Sequence, residues 1–307
     1  MPRKRTRRRR WPILLGVLLA ALAVLIVYMG IQSTIVHLEI VEVPVPDLPP
    51  AFDGTRVLFV TDLHVNPYTS VDQAGALMDQ LMDSQPDLLL FGGDFTDHGT
   101  YSLFTGHTPQ NVLDAELTRR AQLFIRLGGL ETPLGKFAVA GNHDRALDLK
   151  TGKPLEEMAA LSGITFLTNR VAVVEKDGAK LVIAGLDDWR KGQPDIAAVA
   201  SQVQSGDCVI LLSHNPDALP SLGQYPAADG GPWADLVLAG HTHGWQVYAP
   251  LVAKFVRFAS DYGYVTGWYQ DGNTKMLVSN GTGTVALPLR LNAPAQAHLL
   301  ILRRSSE

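Results

Sequence analysis

The sequence predicts an α/β protein: a largely parallel sheet with helices packed outside it, preceded by one membrane-spanning helix. Three observations predict this. Short apolar runs recur five times and each stops abruptly at polar residues. Stretches of helical periodicity lie between them, and residues 11–31 are free of charge throughout. The chain has 307 residues, 46% of them hydrophobic and 18% charged, which excludes a disordered chain because enough apolar surface is present to offset chain entropy. A single cysteine, Cys208, excludes an intramolecular disulfide framework and a Cys-rich zinc module. It adjoins the apolar run Val209–Leu212 and reads as a core residue.

Residues 1–10 carry Arg3, Lys4, Arg5, Arg7, Arg8, Arg9 and Arg10 and no acidic residue. Setting those seven positive charges aside from the net −4 leaves −11 on the rest of the chain. Binding to a phosphate backbone needs a basic surface, so no nucleic-acid partner is expected. The segment that follows explains the cluster instead. Trp11–Ile31, 21 residues, would span ~31 Å as a helix rising ~1.5 Å per residue, one hydrocarbon core. Trp11 and Tyr28 suit the two interfaces, and the positive charges stay on the cytoplasmic side. Residues 1–10 are then a basic cytoplasmic tail, residues 11–31 a single-pass anchor in the cell membrane, and the remainder is extracytoplasmic. A cleaved secretory signal competes with this reading, but Ala21 and Ala23 lie inside the apolar run and Val27, Tyr28 and Met29 follow it. Arg8-Arg9 as a twin-arginine signal carries little weight in a run of four arginines.

Residues 32–50 alternate and then become Pro-rich at Pro44, Pro46, Pro49 and Pro50, an edge strand and linker into a single domain over 51–307. Five buried strands follow from the continuous apolar runs. Val57–Val60 precedes Asp62 and His64, and Leu88–Phe91 precedes Asp94. Phe137–Ala140 precedes Asn142 and His143, Val209–Leu212 precedes His214, and Leu236–Ala239 precedes His241 and His243. Between the first two, Ser70 is an N-cap for a helix with Ala74, Leu77, Met78, Leu81 and Met82 at helical spacing. Asp114–Leu127 reads as a second helix. Val171–Val174 and Leu181–Ala184 flank Lys176-Asp177-Gly178 as a hairpin. Met276–Ser279 and His298–Leu302 supply further strands near the end, and a second sheet packed on the first is expected.

Ligand sites in such sheets lie beyond the carboxyl ends of the strands, and all five polar clusters fall there. Their side chains are carboxylates, imidazoles and one amide. Asp62-Leu63-His64 and His241-Thr242-His243 each project two groups from one face of an extended turn, and Gly92-Gly93 allows close approach of backbone at Asp94. So many ligands exceed what one divalent ion uses and fit two adjacent ions sharing a carboxylate. Such a pair ~3.5–4 Å apart clamps a phosphate and holds a hydroxide made nucleophilic at neutral pH. The absence of thiolates favours Mn, Fe or Zn without choosing among them.

Asp62-Leu63-His64, Gly93-Asp94, Gly141-Asn142-His143-Asp144, Ser213-His214 and Gly240-His241-Thr242-His243 resemble the five ordered blocks of the calcineurin-like metallophosphoesterases. Gly185-Leu186-Asp187-Asp188, Ser279-Asn280-Gly281-Thr282-Gly283 and Pro288-Leu289-Arg290-Leu291 are similar to a membrane-associated bacterial branch. The resemblance implies a four-layer α/β/β/α sandwich of two mixed sheets behind the transmembrane helix. It implies one metal held by Asp62, His64, Asp94 and His243, and a second by Asp94, Asn142, His214 and His241, with Asp94 bridging. His143 is then proton donor or stabilising contact to the phosphate, and Asp144 orients its imidazole. Trp245 departs from the branch, where a second Gly is common, and an indole there narrows the mouth of the pocket; Ala295-Gln296 replaces a common Pro-Glu.

The expected activity is hydrolysis of phosphoester or pyrophosphate bonds at the cell envelope, on a phosphorylated lipid or another envelope phosphoester. A UDP-2,3-diacylglucosamine pyrophosphatase of lipid A synthesis is the alternative. A nuclease fits the charge poorly, and a metal-binding scaffold without turnover is opposed by the intact ligand set. His37, His98, His107 and His298 lie outside the blocks and read as ordinary structural histidines, His98 and His107 being the better exceptions. The aromatics Trp245, Tyr248, Phe255, Phe258, Tyr262, Tyr264, Trp268 and Tyr269 divide evenly between core packing and a substrate-facing or membrane-proximal cap, with Lys254 and Arg257 available to an anion.

Overall fold

A computed structural model describes residues 11–101, 108–248 and 260–305. The basic cluster, His107, Lys254, Phe255, Arg257 and Phe258 lie outside the described residues. Helix α1 (Trp11–Thr34) is followed directly by β1 (Val36–Val45). Then come β2 (Arg56–Val60), α2 (Val71–Met82), β3 (Leu88–Phe91), α3 (Gln110–Gly128), β4 (Lys136–Ala138), α4 (Asn142–Thr151), α5 (Leu155–Ala159), β5 (Ile164–Phe166), β6 (Arg170–Lys176) and β7 (Ala179–Gly185). The chain continues through α6 (Ile196–Ala200), β8 (Val209–Leu212), α7 (Leu219–Leu222), β9 (Leu236–Ala239), β10 (Gly267–Asp271), β11 (Thr274–Val278) and β12 (Ala295–Arg304).

The strands form two six-stranded sheets, β1-β12-β2-β3-β4-β5 and β10-β11-β9-β8-β7-β6. In the first, β2 to β5 run parallel, β12 is antiparallel to β2, and β1 is parallel to β12. In the second, β7, β8, β9 and β11 run parallel, with β6 and β10 antiparallel at the edges. Alternate side chains of each central strand serve different layers. Phe59, Leu90, Ile183, Ile210 and Leu238 meet between the sheets, with Cys208 in the same core. Leu58, Val60, Leu89 and Phe91 face outward under α2 and α3, while Val182, Val209, Leu211 and Val237 pack beneath α6 and α7. Burial on both faces is why these strands read as continuous apolar runs. The result is the expected α/β/β/α sandwich of mixed sheets.

Ser70 caps α2 with a full capping box, its hydroxyl accepting from Gln73 N while Gln73 Oε1 accepts from Ser70 N. Pro44 lies in the edge strand β1, where a missing N–H costs no ladder bond. The segment read as strand and linker is therefore strand for most of its length. It pairs with β12 over the ten positions Val36–Val45. Two directions fix where everything else sits. The carboxyl ends of β2, β3 and β4 share one end of the first sheet, and the start of β1 lies at that same end because β1 and β12 oppose β2.

Candidate metal centre

The five polar clusters leave the carboxyl ends of β2, β3, β4, β8 and β9 and converge in one site. His243 Nε2 lies 3.3 Å from Asp62 Oδ1, and His64 Nε2 lies 3.5 Å from Asp94 Oδ2. On the other side, His214 Nε2 lies 3.2 Å from Asp94 Oδ2 and 3.3 Å from Asn142 Oδ1. Asp94 thus stands between a group with Asp62, His64 and His243 and a group with Asn142, His214 and His241. Asp62, His64, Asp94, His214 and His243 are buried, whereas Asn142, His143 and His241 are partly exposed and form the mouth.

The backbone is bent to make this possible. Asp62, His64, Asp94, His241 and His243 all adopt left-handed conformations, φ 55°, 45°, 55°, 70° and 53°, a region that costs most L-residues energy and concentrates at functional sites. Gly141 and Gly240 lack the Cβ that would collide with the carboxylates of Asp94 and Asp62 respectively. Partners fix the side chains: Thr61 Oγ1 donates to Asp62 Oδ2 at 2.8 Å, His143 N donates to Asp94 Oδ1 at 2.8 Å, and His214 Nδ1 lies 2.8 Å from Gly92 O.

The donor atoms suit cations. His64 Nε2 and His243 Nε2 face each other at 3.1 Å, as do His241 Nδ1 and His214 Nε2 at 3.3 Å. Asp62, His64 and His243 can together hold an ion, and so can Asp94, His214 and His241. The electrostatics reflect the crowding. Burial disfavours charge at Asp62 and Asp94, yet the neighbouring imidazoles outweigh it and hold both carboxyls well below the usual range. Burial likewise opposes a proton on His214, but Asp94 raises it to about 10, while burial and the charge of His214 push His241 down to about 3. A site whose carboxylates hold protons on two imidazoles, His64 and His214, at neutral pH is a site that favours positive charge. Divalent ions supply it.

Several side chains act behind these groups. Asp97 Oδ2 lies 2.8 Å from His64 Nδ1, an ion-pair contact more than an aligned hydrogen bond. Buried Arg290 donates from Nη1 to Ala293 O at 2.9 Å and from Nη2 to Asn280 O at 2.8 Å, Gly281 O at 3.0 Å and Gly283 O. That clasp holds the 280–283 loop against the Asp62 turn, where Gly283 N donates to Asp62 O at 2.7 Å. No sequence pattern announced a role for Asp97. Arg290 was visible only as part of a family-like tail. Asp144 corrects an expectation. Its carboxylate accepts from Gly141 N at 3.0 Å, Asp94 N at 2.8 Å and Phe95 N at 3.1 Å, with Arg120 3.6 Å away. Among the described residues it makes no hydrogen bond to the His143 ring. Gly141 N at its own helix N-terminus and two backbone donors of the turn after β3, Asp94 N and Phe95 N, capture it instead.

Of the outlying histidines, His98 Nδ1 lies 3.0 Å from buried Glu116, and His298 is buried with Nε2 3.0 Å from Ser279 Oγ. His37 is exposed on β1. Trp245 is partly exposed beside the mouth and lies 5.6 Å from the Tyr248 ring, whereas Tyr264 and Tyr269 pack against the second sheet.

Residues 55–245 match the family model described as calcineurin-like phosphoesterase. The chain is 30% identical to the uncharacterized metallophosphoesterase YkuE of Bacillus subtilis (strain 168), over 84% of this chain and 82% of that protein. It is 29% identical to the phosphodiesterase YaeI of Escherichia coli (strain K12), over 80% of this chain and 82% of that one. A transmembrane protein with metallophosphoesterase domain from Danio rerio is 25% identical over 86% of this chain and 57% of its own length.

Proposed function

The chain belongs to the calcineurin-like phosphoesterase family and is a metal-dependent phosphoesterase, and from that premise we propose that it hydrolyses phosphodiester or pyrophosphate bonds at the membrane surface with two divalent ions. Asp62, His64, Asp94 and His243 would hold one ion, and Asp94, Asn142, His214 and His241 the other. The observation that carries this reading is the position of Asp94, whose Oδ2 lies 3.5 Å from His64 Nε2 and 3.2 Å from His214 Nε2. The N/O donor set favours manganese, iron or zinc. Divalent ions there polarise phosphoryl oxygens and make water nucleophilic at neutral pH.

The chain's own residues do the rest. His143 stands at the mouth with its ring centroid 4.9 Å from that of His64, where it reaches a phosphate from the solvent side. Asp144 fixes the backbone of Asp94 and of the Gly141 turn, so that both sides of the site keep their spacing. In the overall reaction the oxygen of water joins phosphorus, the bond to the leaving oxygen breaks, and that oxygen takes up a proton.

α1 is long and apolar enough to cross a membrane, which supports a single-pass protein. The charge asymmetry supports an extracytoplasmic domain, and so opposes a nucleotide-activated lipid precursor made in the cytoplasm. The similarity to YaeI, a phosphodiesterase, favours a diester over a monoester. The test is hydrolysis of an aryl phosphodiester by the full chain in detergent, before and after chelation and with manganese, iron or zinc restored. Activity is expected to vanish on chelation and return with metal, and Asp94→Ala or Asn142→Ala to abolish it. Full activity in protein shown metal-free by elemental analysis refutes the reading.

A further inference from the structure

We propose that the metal-bearing end of the sandwich is held against the lipid head-group layer, so that the site opens onto the leaflet from which α1 emerges. The inference rests on α1 spanning the membrane, as read above, and adds which face of the domain meets the bilayer. Strand direction carries it. β2, β3 and β4 deliver Asp62, His64, Asp94 and Asn142 from their carboxyl ends, and β12 opposes β2 with His298 paired to Phe59. β1 runs parallel to β12, with Val36 beside Ala295. The anchor therefore joins the domain at the metal-bearing end.

The junction is short and fixed. Only Ile35 separates α1 from β1. Arg290 N donates to Met29 O at 3.0 Å, and Ser33 Oγ donates to Pro288 O at 2.9 Å. The same Arg290 clasps the 280–283 loop against Asp62, so the last turns of the anchor and the metal-ligand turn share one support. From Trp11 to Tyr28 every residue of α1 is exposed, so among the described residues nothing covers it; a bilayer does.

Apolar side chains crowd the same end. Ile35 (43%), Tyr68 (46%), Val247 (41%) and Leu287 (48%) are exposed there. They come from the start of β1, the turn after His64, the segment after His243 and the loop held to the anchor. Between α1 and the Asp62–His64 turn lies a groove of about 370 Å³, lined among others by Ser33, Thr34, Tyr68, Leu77, Thr282 and Pro288. The Thr282 hydroxyl at its wall is buried and has no hydrogen-bond partner among the described residues. A surface continuous with a membrane helix, apolar at the rim and hydroxyl-lined inside, fits bilayer lipid: head group in the groove, apolar rim at the acyl boundary.

The opposite pole is the Asp177-Gly178 turn, about 23 Å of strand away along β7 at ~3.3 Å per residue. The test uses the full chain in phosphatidylcholine vesicles, in a Cys208→Ala background that leaves no other thiol. A fluorophore is placed by Leu287→Cys, Asp177→Cys or Leu18→Cys, with lipids carrying quenchers at the head-group boundary. Quenching at 287 is expected to exceed that at 177 by at least about twofold, given that separation, with 18 shielded from aqueous quencher. Equal quenching at 287 and 177 with 18 shielded overturns the inference and leaves the anchor and the chemistry standing. An unshielded probe at 18 overturns the spanning reading and the inference together.

Discussion

His143 shows how a side chain's surroundings choose between two roles that its position alone leaves open. Burial in protein lowers its pKa below the ordinary value despite the opposing pull of Asp94, so at neutral pH the ring is a neutral N–H donor. A neutral donor stabilises phosphoryl oxygens more readily than it delivers a proton. Removing one preorganised donor typically costs ~10²–10³ in kcat. His143→Ala is therefore expected to lose roughly that much on aryl phosphodiesters with good and poor leaving groups alike, with metal content retained. A loss confined to the poor leaving group instead identifies a proton donor. The residues that touch this chemistry were legible in sequence because each follows an apolar strand, where fold and motif coincide. The contacts of Asp144, Asp97 and Arg290 were not: Asp144 was read as the partner of the His143 ring, and Arg290 only as part of a tail motif. Asp144 and Arg290 bind backbone, and Arg290 reaches carbonyls as far along the chain as Asn280 and His243, ten and 47 residues away; Asp97 meets a histidine 33 positions earlier, at His64. Backbone groups carry no residue signature, and long-range pairing leaves none in local spacing.

Elements were legible in proportion to how completely one periodicity described them. β3, β8 and β9 span the apolar runs Leu88–Phe91, Val209–Leu212 and Leu236–Ala239, because central strands covered on both faces have no polar positions to blur their ends. α4 escaped notice. Only Asp144 and Leu147 are buried along Asn142–Thr151, so no apolar stripe marks it as a helix. β5 holds just three residues, Ile164–Phe166, too few to show a period. β12 contributes a prediction of its own through His298. Burial pushes that imidazole down to about 4 from 6.5, and it stays neutral in the fold while the unfolded chain binds a proton. Its contribution is complete above pH 6.5 and is lost as pH falls toward 4, for about 3 kcal/mol at 1.36 kcal/mol per unit. His298→Gln keeps a polar partner for Ser279 and removes the titration. With chelator present, the unfolding free energy of the parent protein is expected to fall by about 3 kcal/mol more than that of the variant between pH 7.5 and 4. Parallel curves refute the assignment.

At the scale of the whole molecule, α1 and the metal-bearing end share one support, so if α1 spans the membrane as proposed, its orientation decides which leaflet the site can reach. The segment before the anchor holds seven Lys and Arg residues within positions 1–10, whereas residues 32–50 hold none and include Glu39, Glu42 and Asp47. Orientation follows the Lys and Arg bias of the flanks within ~15–20 residues of a span, and here that bias is as one-sided as the flanks allow. Each positive charge also gains about 1 kcal/mol beside an anionic cytoplasmic leaflet, so seven together make the reversed insertion unfavourable. A green fluorescent reporter that matures only in the cytoplasm, fused after Glu307, is expected to stay dark, and an exported alkaline phosphatase at the same point to be active. Replacing Arg3, Lys4, Arg5, Arg7, Arg8, Arg9 and Arg10 by Ser removes the bias, and a measurable share of molecules should then light the cytoplasmic reporter. A bright reporter on the parent chain reverses the orientation. The site would then face cytoplasmic head groups, because the strand directions that bind the anchor to the metal-bearing end do not depend on which side of the membrane the domain occupies.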